Sequence, residues 1–485
     1  MENCFNFKGN LSLLTDFYEL TMANGYLNNN LSSKVVCFDV FFRKVPDSGG
    51  FAILAGLEQV VKYLENLKFS REDIEFLRKQ KIFKEDFLFY LENFKFSCDV
   101  WSLDEGTPIF PTEPIFTIKG PIIEVQLIET MVLLILNHQS LIATKSNRIA
   151  RAAGEIPVYE FGARRAQGAD AAVFGARAAY IGGCEGTSCT LAAKDFDIPL
   201  CGTMAHSFAQ IFDSELDAFK AYAKLYPQNC ILLVDTYNVL KSGLKNAITV
   251  FKEDIIKNGY RPGGIRIDSG DLTYLSKKAR KMLDDEGLYD CKICVSNALD
   301  EYIIRDMLNQ GAPIDSFGVG ERLITASSDP IFGGVYKLTA VQGNDGEFIP
   351  RIKMSENVSK ITTPGFKMLW RMKDNKSGKY ISDVITLYDE IIDSSKPYEI
   401  FDPTHTWKRK TLKDFTAIKM LKPIFKGGKN VYKLPKINQI KKYCKEETVL
   451  LWDEVKRFEN PHEYYVDLSA NLWNQKNNLI SQFSK

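Results

Sequence analysis

The chain lacks a charge excess of either sign. Its 62 lysines and arginines against 61 aspartates and glutamates leave a formal net charge of +1. Such a balance supplies no global field for nucleic acid or an anionic membrane, so any phosphate has to be bound locally. No apolar run is long enough to span a bilayer. Met1-Glu2-Asn3-Cys4 lacks the basic and apolar regions of a signal peptide. The expected setting is the cytoplasm, with neither nucleic acid nor membrane as partner. Long low-complexity linkers and internal repeats are also missing. The ten cysteines fall mostly inside apolar runs (Cys37, Cys201, Cys230, Cys294), as reduced, buried thiols would. Cys291-Lys292-Ile293-Cys294 is a lone CxxC with no second pair or nearby histidine, a weak basis for a metal or redox site. Histidine is scarce, with four in 485 residues.

The chain does carry enough apolar residue, 45%, for more than one core. Its length exceeds one ordinary domain, so two or more units, or a large barrel with additions, are expected. Residues 1–150 read as an α+β unit. A helix opens at Asp16-Phe17-Tyr18, 34–44 alternates as a strand, and 51–67 has helical spacing. Ser70-Arg71-Glu72-Asp73 is a capping box, 96–122 reads as hairpins, and 123–153 as a long helix. Residues 151–345 alternate differently. Strands are expected at 158–161, 198–201, 230–234, 264–267, 292–295, 314–318 and 335–340. Helices are expected at 169–181, 209–226, 272–286 and 300–309. About seven such repeats point to an α/β fold, a (β/α) barrel of parallel strands, with an open doubly wound sheet as the alternative. In 346–485 the alternation fails. Strands at 351–360, 380–388 and 399–401 precede a lysine-rich, then helical tail whose core-facing part is 450–458. This extension is expected to pack on the N-terminal unit and the barrel.

Polar residues gather where the barrel strands should end, the edge at which such sheets bind ligands. His206 follows the run Ile198-Pro199-Leu200-Cys201 and the breaker Gly202, just before a helix. On position alone it reads equally well as a loop histidine satisfied by its neighbours. Phe161, Arg164 and Arg165 close the first strand. A guanidinium suits phosphate or carboxylate, and an aromatic face suits a flat ring. Glu185-Gly186-Thr187-Ser188 is a glycine turn with two hydroxyls. Asp235 closes another strand, where a carboxylate can orient a histidine or hold Mg²⁺. Ile265-Arg266-Ile267-Asp268-Ser269-Gly270-Asp271 is the densest cluster. Arg266 and Asp268 could clamp a magnesium diphosphate, while Asp271 reads as a helix cap. Ser296-Asn297 and Phe317-Gly318-Val319-Gly320 end the last strands, and a G-x-G turn lets backbone N–H groups approach a phosphate.

These pieces, in this order, resemble the nicotinate phosphoribosyltransferase family. Thr15-Asp16-Phe17-Tyr18-Glu19-Leu20-Thr21-Met22, Glu160-Phe161-Gly162-Ala163-Arg164-Arg165 and Gly202-Thr203-Met204-Ala205-His206-Ser207 carry the likeness. So do the Arg266–Asp268 cluster, Gly318-Val319-Gly320, Gly334-Val335-Tyr336-Lys337-Leu338 and the tail run Asn460-Pro461-His462-Glu463-Tyr464-Tyr465-Val466-Asp467-Leu468-Ser469. The resemblance implies a type II phosphoribosyltransferase-like barrel and an ATP-dependent, ligase-type enzyme. It would join nicotinate to 5-phosphoribosyl 1-diphosphate, with Mg²⁺ as cofactor and ATP hydrolysed through a phosphohistidine at His206. Tyr18 and Phe161 would sandwich the pyridine ring, with Tyr18 supplied by the second subunit of a homodimer that shares its sites. Arg164, Arg266 and Asp268 would hold the phosphoribosyl group and its diphosphate, with Asp268 a candidate for the magnesium. Thr203 would lie beside nicotinate, and Gly320 and Glu321 at the 5-phosphate. Many relatives carry a small hydroxyl residue where this chain has Glu321, so its backbone N–H is the expected contact. Asp235 would orient the His206 imidazole.

Rival readings exist. The other large phosphoribosyltransferase class carries a dyad of adjacent acids, which Thr236 after Asp235 interrupts. A quinolinate-using relative would want more cationic residues at the ring. A non-catalytic phosphosugar-binding barrel would not keep His206 and Asp268 together. Nicotinamide-using relatives share the frame but carry a carboxylate at the position matching Ser188.

Overall fold

The computed structural model describes residues 11–357 and 360–484. Met1-Glu2-Asn3-Cys4, read above for a signal peptide, lies outside the described residues. The chain forms two compact units, Lys145–Pro330 and Met1–Thr144 with Ile331–Lys485.

Lys145–Pro330 is built on six parallel strands. Their order is Gly186–Thr187, Val158–Glu160, Ser316–Val319, Lys292–Asn297, Gly264–Ile267, Ile231–Leu233. A parallel bridge from Thr187 to Leu200 adds a seventh segment. Read round the sheet, the segments follow chain order, and the last strand pairs with the first. Among the described residues no ladder joins Leu200 to Ile231–Leu233, so the sheet is open at that one seam. Strands covered on both faces need apolar side chains. Leu232, Leu233, Ile265, Ile267, Ile293, Val295, Phe317 and Val319 are all buried.

Helices Ala169–Gly182, Glu215–Leu225, Leu272–Asp285 and Glu301–Asn309 alternate with these strands. Asp271 caps Leu272–Asp285, accepting from the Tyr274 N–H at 2.9 Å. Beyond Ile231–Leu233 the chain makes a π-helical turn at Val239–Gly243. A Cβ on Gly243 would collide with the Val234 backbone, so glycine lets this turn press against the strand end.

Three expectations need correction here. The strand at 198–201 shrinks to the Leu200 bridge, because Pro199 donates no N–H. Gly186–Thr187, too short to show a period, is a strand. The run at 335–340 does not continue the parallel series. As Gly334–Gln342 it pairs antiparallel with Val35–Phe42, in the other unit. Alternation reveals a strand and says nothing about its partner.

The second unit holds a seven-stranded antiparallel sheet. Val35–Phe42 lies between Gly334–Gln342 and Phe116–Pro121, and Lys422–Lys426 pairs with Asp99–Ser102. A four-stranded sheet contains Lys367–Asp374, Tyr380–Leu387 and Val466–Leu468, the last parallel to its neighbour. Phe38 stacks on Tyr336 at 4.9 Å in the core. The Ser70 capping box is present, Asp73 accepting from the Ser70 N–H at 2.7 Å.

Helix Phe17–Asn28 carries Tyr18, and residues 51–67 divide into strand Ala52–Ile53 and helix Leu57–Asn66. No strand forms at 351–357, and of the expected strand at 351–360, residues 358 and 359 lie outside the described residues. Residues 450–458, expected as helix, are turns between Ile437–Val449 and Ala470–Phe483. One helical stretch, Ile122–Ala153, is long and apolar enough to cross a membrane, contrary to the sequence reading. Of its most apolar window, 67% is buried in the protein.

Candidate functional site

The strand ends of Lys145–Pro330 surround a cavity of about 290 Å³. Its walls include Phe161, Arg164, Ser188, Thr203, His206, Arg266 and Asp268. The loop from Gly202 to His206 leaves one side of the open seam and Leu233 stands on the other, so both edges of the seam contribute.

Glu160 sets the first wall. It is fully buried at the end of its strand, accepts from Thr187 Oγ1 at 2.6 Å and from the Gly162 N–H. Burial raises its pKa against those two hydrogen bonds. The bonds tie the Phe161–Arg165 turn to the strand before Ser188, whose N–H donates to the Glu160 carbonyl at 2.9 Å. The Ser188 hydroxyl lines the cavity with no partner among the described residues. The Phe161 ring packs against Gly318 of strand Ser316–Val319, where an added Cβ would run into the Cδ2–Cε2 edge of the ring. Gly318 therefore has a steric task that its place in a G-x-G turn did not reveal.

Arg266 fans out at the centre, 15% exposed. Nε donates to Ser296 Oγ at 2.8 Å, Nη1 to Thr203 Oγ1 at 3.0 Å, and Nη2 to Asp268 Oδ1 at 3.0 Å. A longer contact, 3.4 Å, reaches the Met204 carbonyl. The guanidinium carbon stands 5.6 Å from the Phe161 ring centre. Ser296 Oγ also donates to Asp268 Oδ1.

His206 begins a short helix and is 40% exposed at its side chain. Nδ1 lies 3.1 Å from Thr236 Oγ1, and Nε2 lies 3.9 Å from Asp268 Oδ2, too far for a hydrogen bond. No hydrogen bond joins Asp235 to the imidazole among the described residues. The Asp235 Oδ2 accepts from the Asp268 N–H at 3.1 Å and from Ser269 Oγ at 2.6 Å. Asp235 Oδ1 is buried with no partner among the described residues. The residue that meets the imidazole is Thr236, and the rarity of histidine gave no hint of it.

Other expected residues are more scattered. Arg164 is exposed beside the cavity with no partner among the described residues. Asn297 ends its strand at φ 146, a backbone state few non-glycine residues adopt, and its Oδ1 accepts from the Ala298 N–H at 2.7 Å. Gly320 precedes the turn Glu321–Ile324, and the Glu321 carboxylate reaches Arg165 at 3.6 Å. Tyr18 belongs to the other unit, 45% exposed on its helix. Burial, then Glu129, hold its phenol above the usual range. Among the described residues no group of three or more His, Cys, Asp or Glu could hold a metal ion. Burial pushes the thiols of Cys291, to about 12, and Cys294 up.

Models of the nicotinate phosphoribosyltransferase N-terminal domain, family and C-terminal domain match residues 13–137, 156–347 and 366–476. The nicotinate phosphoribosyltransferase of Bacillus subtilis is 44% identical over 472 residues, covering 97% of this chain and 96% of that one. The chain belongs to the nicotinate phosphoribosyltransferase family. The crystal structure of human nicotinic acid phosphoribosyltransferase superposes with a TM-score of 0.86 at 28% identity, over 96% of this chain and 99% of that chain. A nicotinate-nucleotide pyrophosphorylase from Pyrococcus furiosus, 24% identical, shares the fold at a TM-score of 0.70 over 93% and 98% of the two chains. In this nicotinate phosphoribosyltransferase family member, the ring of Phe161 depends on the missing side chain at 318. Gly318→Ala should cost about 1–3 kcal/mol by overpacking, measured by denaturant unfolding. Adding Phe161→Ala should recover most of that loss. Strictly additive losses would show that the ring does not press on residue 318.

Proposed function

We propose that this chain joins nicotinate to 5-phosphoribosyl 1-diphosphate, giving nicotinate ribonucleotide and diphosphate. ATP hydrolysis drives the reaction through phosphorylation of His206. One observation carries the reading: an aromatic face, a fixed guanidinium, a carboxylate and an imidazole line a single cavity at the strand ends. Family membership narrows what that cavity accepts.

Each residue then has a task. Arg266 and Arg164 oppose the negative charge that gathers on the departing diphosphate while C1 becomes oxocarbenium-like. Asp268, fixed by Arg266 and Ser296, holds ribose hydroxyls. The pyridine nitrogen attacks C1 with its own ring-plane lone pair, so no general base is required. Phe161 and Tyr18 of the partner subunit hold that ring in line, in a homodimer with shared sites. Thr203 and Ser188 face the nicotinate carboxylate. Ser296, Asn297, Gly318 and the backbone of Gly320 and Glu321 bound the phosphate end. The Glu321 side chain, drawn to Arg165, leaves its N–H available.

A carboxylate in the cavity suits Mg²⁺, which keeps waters and substrate phosphates as most of its ligands. Asp268, whose carboxylate lines the cavity, would hold it. Bound there, it would neutralise charge on the diphosphate.

When Nδ1–H of His206 donates to Thr236, Nε2 keeps the lone pair and takes the phosphoryl group. That group adds negative charge beside Asp268 Oδ2, now 3.9 Å away, and biases the Asp268–Arg266 contact. Incubating the purified protein with nicotinate, 5-phosphoribosyl 1-diphosphate and ATP should yield the mononucleotide. Its absence with each substrate saturating would reject the reading.

His206→Ala should abolish ATP hydrolysis yet leave slow, ATP-independent transfer, because transfer needs no base. Labelled phosphate retained on the variant after exposure to γ-labelled ATP would refute the assignment of the acceptor.

Selectivity between acid and amide rests on Ser188, whose free hydroxyl can donate to a carboxylate. An aspartate there would face the carboxylate of nicotinate, and like charges at about 4 Å cost on the order of several kcal/mol at intermediate dielectric. Wild type should strongly prefer nicotinate to nicotinamide. Ser188→Asp should reduce kcat/KM for nicotinate far more than it weakens 5-phosphoribosyl 1-diphosphate binding. An unchanged preference ratio would place selectivity elsewhere.

A further inference from the structure

The tail run from Asn460 to Ser469 takes no part in the transferase cavity, which lies within Lys145–Pro330. It lines a second cleft of about 740 Å³, in the other unit, through residues that include His462, Glu463, Tyr465 and Asp467. A cleft of this volume accommodates a small organic ligand.

The charge on its walls is uneven. Five carboxylates, Asp374, Asp402, Glu454, Glu463 and Asp467, face three cations, Lys408, Arg409 and Lys410. Each of those cations already stands by an acid. Lys408 is 3.7 Å from Asp402, and Arg409 donates to Glu399 at 2.8 Å. The Ser377 hydroxyl and N–H hold Asp374 below the usual carboxylate range, and Lys410 adds to that pull. Glu454 and Glu463, both exposed, and the buried Asp467 are left without an ion pair among the described residues.

Asp467 is the decisive member. It sits on Val466–Leu468, is 3% exposed, and faces the cleft. Its carboxylate accepts no hydrogen bond among the described residues. Its charged neighbours are acids, Asp402 and Asp383, and burial first, then those two, push its pKa up to about 7. Their own partners do not serve it. Asp402 accepts from the Thr404 and His405 N–H groups at 2.8 and 2.9 Å. Asp383 is held by Arg371 and by the Tyr464 hydroxyl, at 2.7 and 2.8 Å. A buried carboxylate among acids costs stability until a cation pairs with it.

The same cleft offers open aromatic faces. Trp452 and Tyr465 are 43% and 46% exposed, and among the described residues no cation lies over either ring. Phe401, by contrast, already has the Arg409 guanidinium 5.5 Å from its centre. Open indole and phenol faces attract ammonium groups. A single metal ion suits the cleft less well, because among the described residues no three His, Cys, Asp or Glu side chains converge. Carboxylates that are spread apart suit a ligand whose positive charges are spread apart too.

We propose that this cleft is a second ligand site, taking a linear polyamine with one ammonium on Asp467 and the others on Glu454 and Glu463. Its methylene segments would lie along Trp452 and Tyr465. An ammonium brings three donors and no acceptor, which is what an unpaired carboxylate lacks.

Spermidine is the probe, titrated calorimetrically into the full chain at about pH 8, where its amines are protonated and Asp467 is ionised. One saturable event per chain is expected, with Kd below about 1 mM. Asp467→Asn should weaken binding at least about tenfold, and the exposed change Glu463→Gln at least about threefold. Asp467→Asn removes a charge that has no partner, so Tm should hold or rise, which separates lost binding from lost folding. Mg²⁺ should displace spermidine no better than NaCl of equal ionic strength. No saturation, affinity unchanged in either variant, or displacement by Mg²⁺ beyond the salt control would overturn the proposal. Since the readout involves no transfer, its failure is distinct from failure of the transferase reading.

Discussion

Arg266 is the constraint on which the site depends. One guanidinium joins the end of its own strand to Ser296 on the next strand, to Asp268 beyond, and to Thr203 in the loop that leads to His206. A planar fork can serve several acceptors in fixed directions, which a single ammonium cannot. Beyond the Cys201 N–H, which donates to the Thr187 carbonyl at 3.0 Å, no strand ladder fixes residues 202–205 among the described residues. The contacts from Arg266 to Thr203 and Met204 do so instead. The group proposed to meet an anionic substrate therefore also anchors the histidine loop. On that proposal, substrate binding and histidine position would be coupled through one side chain.

Around this hub the sequence spends residues on support. Glu160 never reaches the cavity, yet its buried carboxylate bonds fix both the Phe161 turn and the strand leading to Ser188. Asp235 holds the backbone at Asp268 and the hydroxyl of Ser269. Gly318 contributes by having no side chain, so that an aromatic ring can lie on a parallel strand. Each of these residues holds its neighbours in place, so its loss would loosen the site.

Much of this was legible in the sequence, and the exceptions have physical causes. The motifs around Phe161, His206 and Arg266 could be placed at strand ends, because apolar runs followed by glycine mark where parallel strands stop. Asp271 showed its capping role by its place before an amphipathic helix. Partners were harder. Val335-Tyr336-Lys337-Leu338 alternates as well for an antiparallel neighbour as for a parallel one, and only the fold pairs it with Val35–Phe42. Asp235 looked like the imidazole's partner because charge is easy to see. Thr236 fills that role because the strand end turns its hydroxyl, and not the carboxylate, toward Nδ1. Leu450 to Phe458 has helical apolar spacing but forms turns between two helices.

If Arg266 is a geometric clamp and not merely a positive charge, replacing it with lysine should be far from conservative. The decisive measurement is kcat/KM for 5-phosphoribosyl 1-diphosphate in Arg266→Lys against wild type. Loss of two or more charge-assisted hydrogen bonds predicts a fall of about a hundredfold or more, with the fold intact. A value within about twofold of wild type would mean that charge alone suffices, and would contradict the central role given to the guanidinium fork.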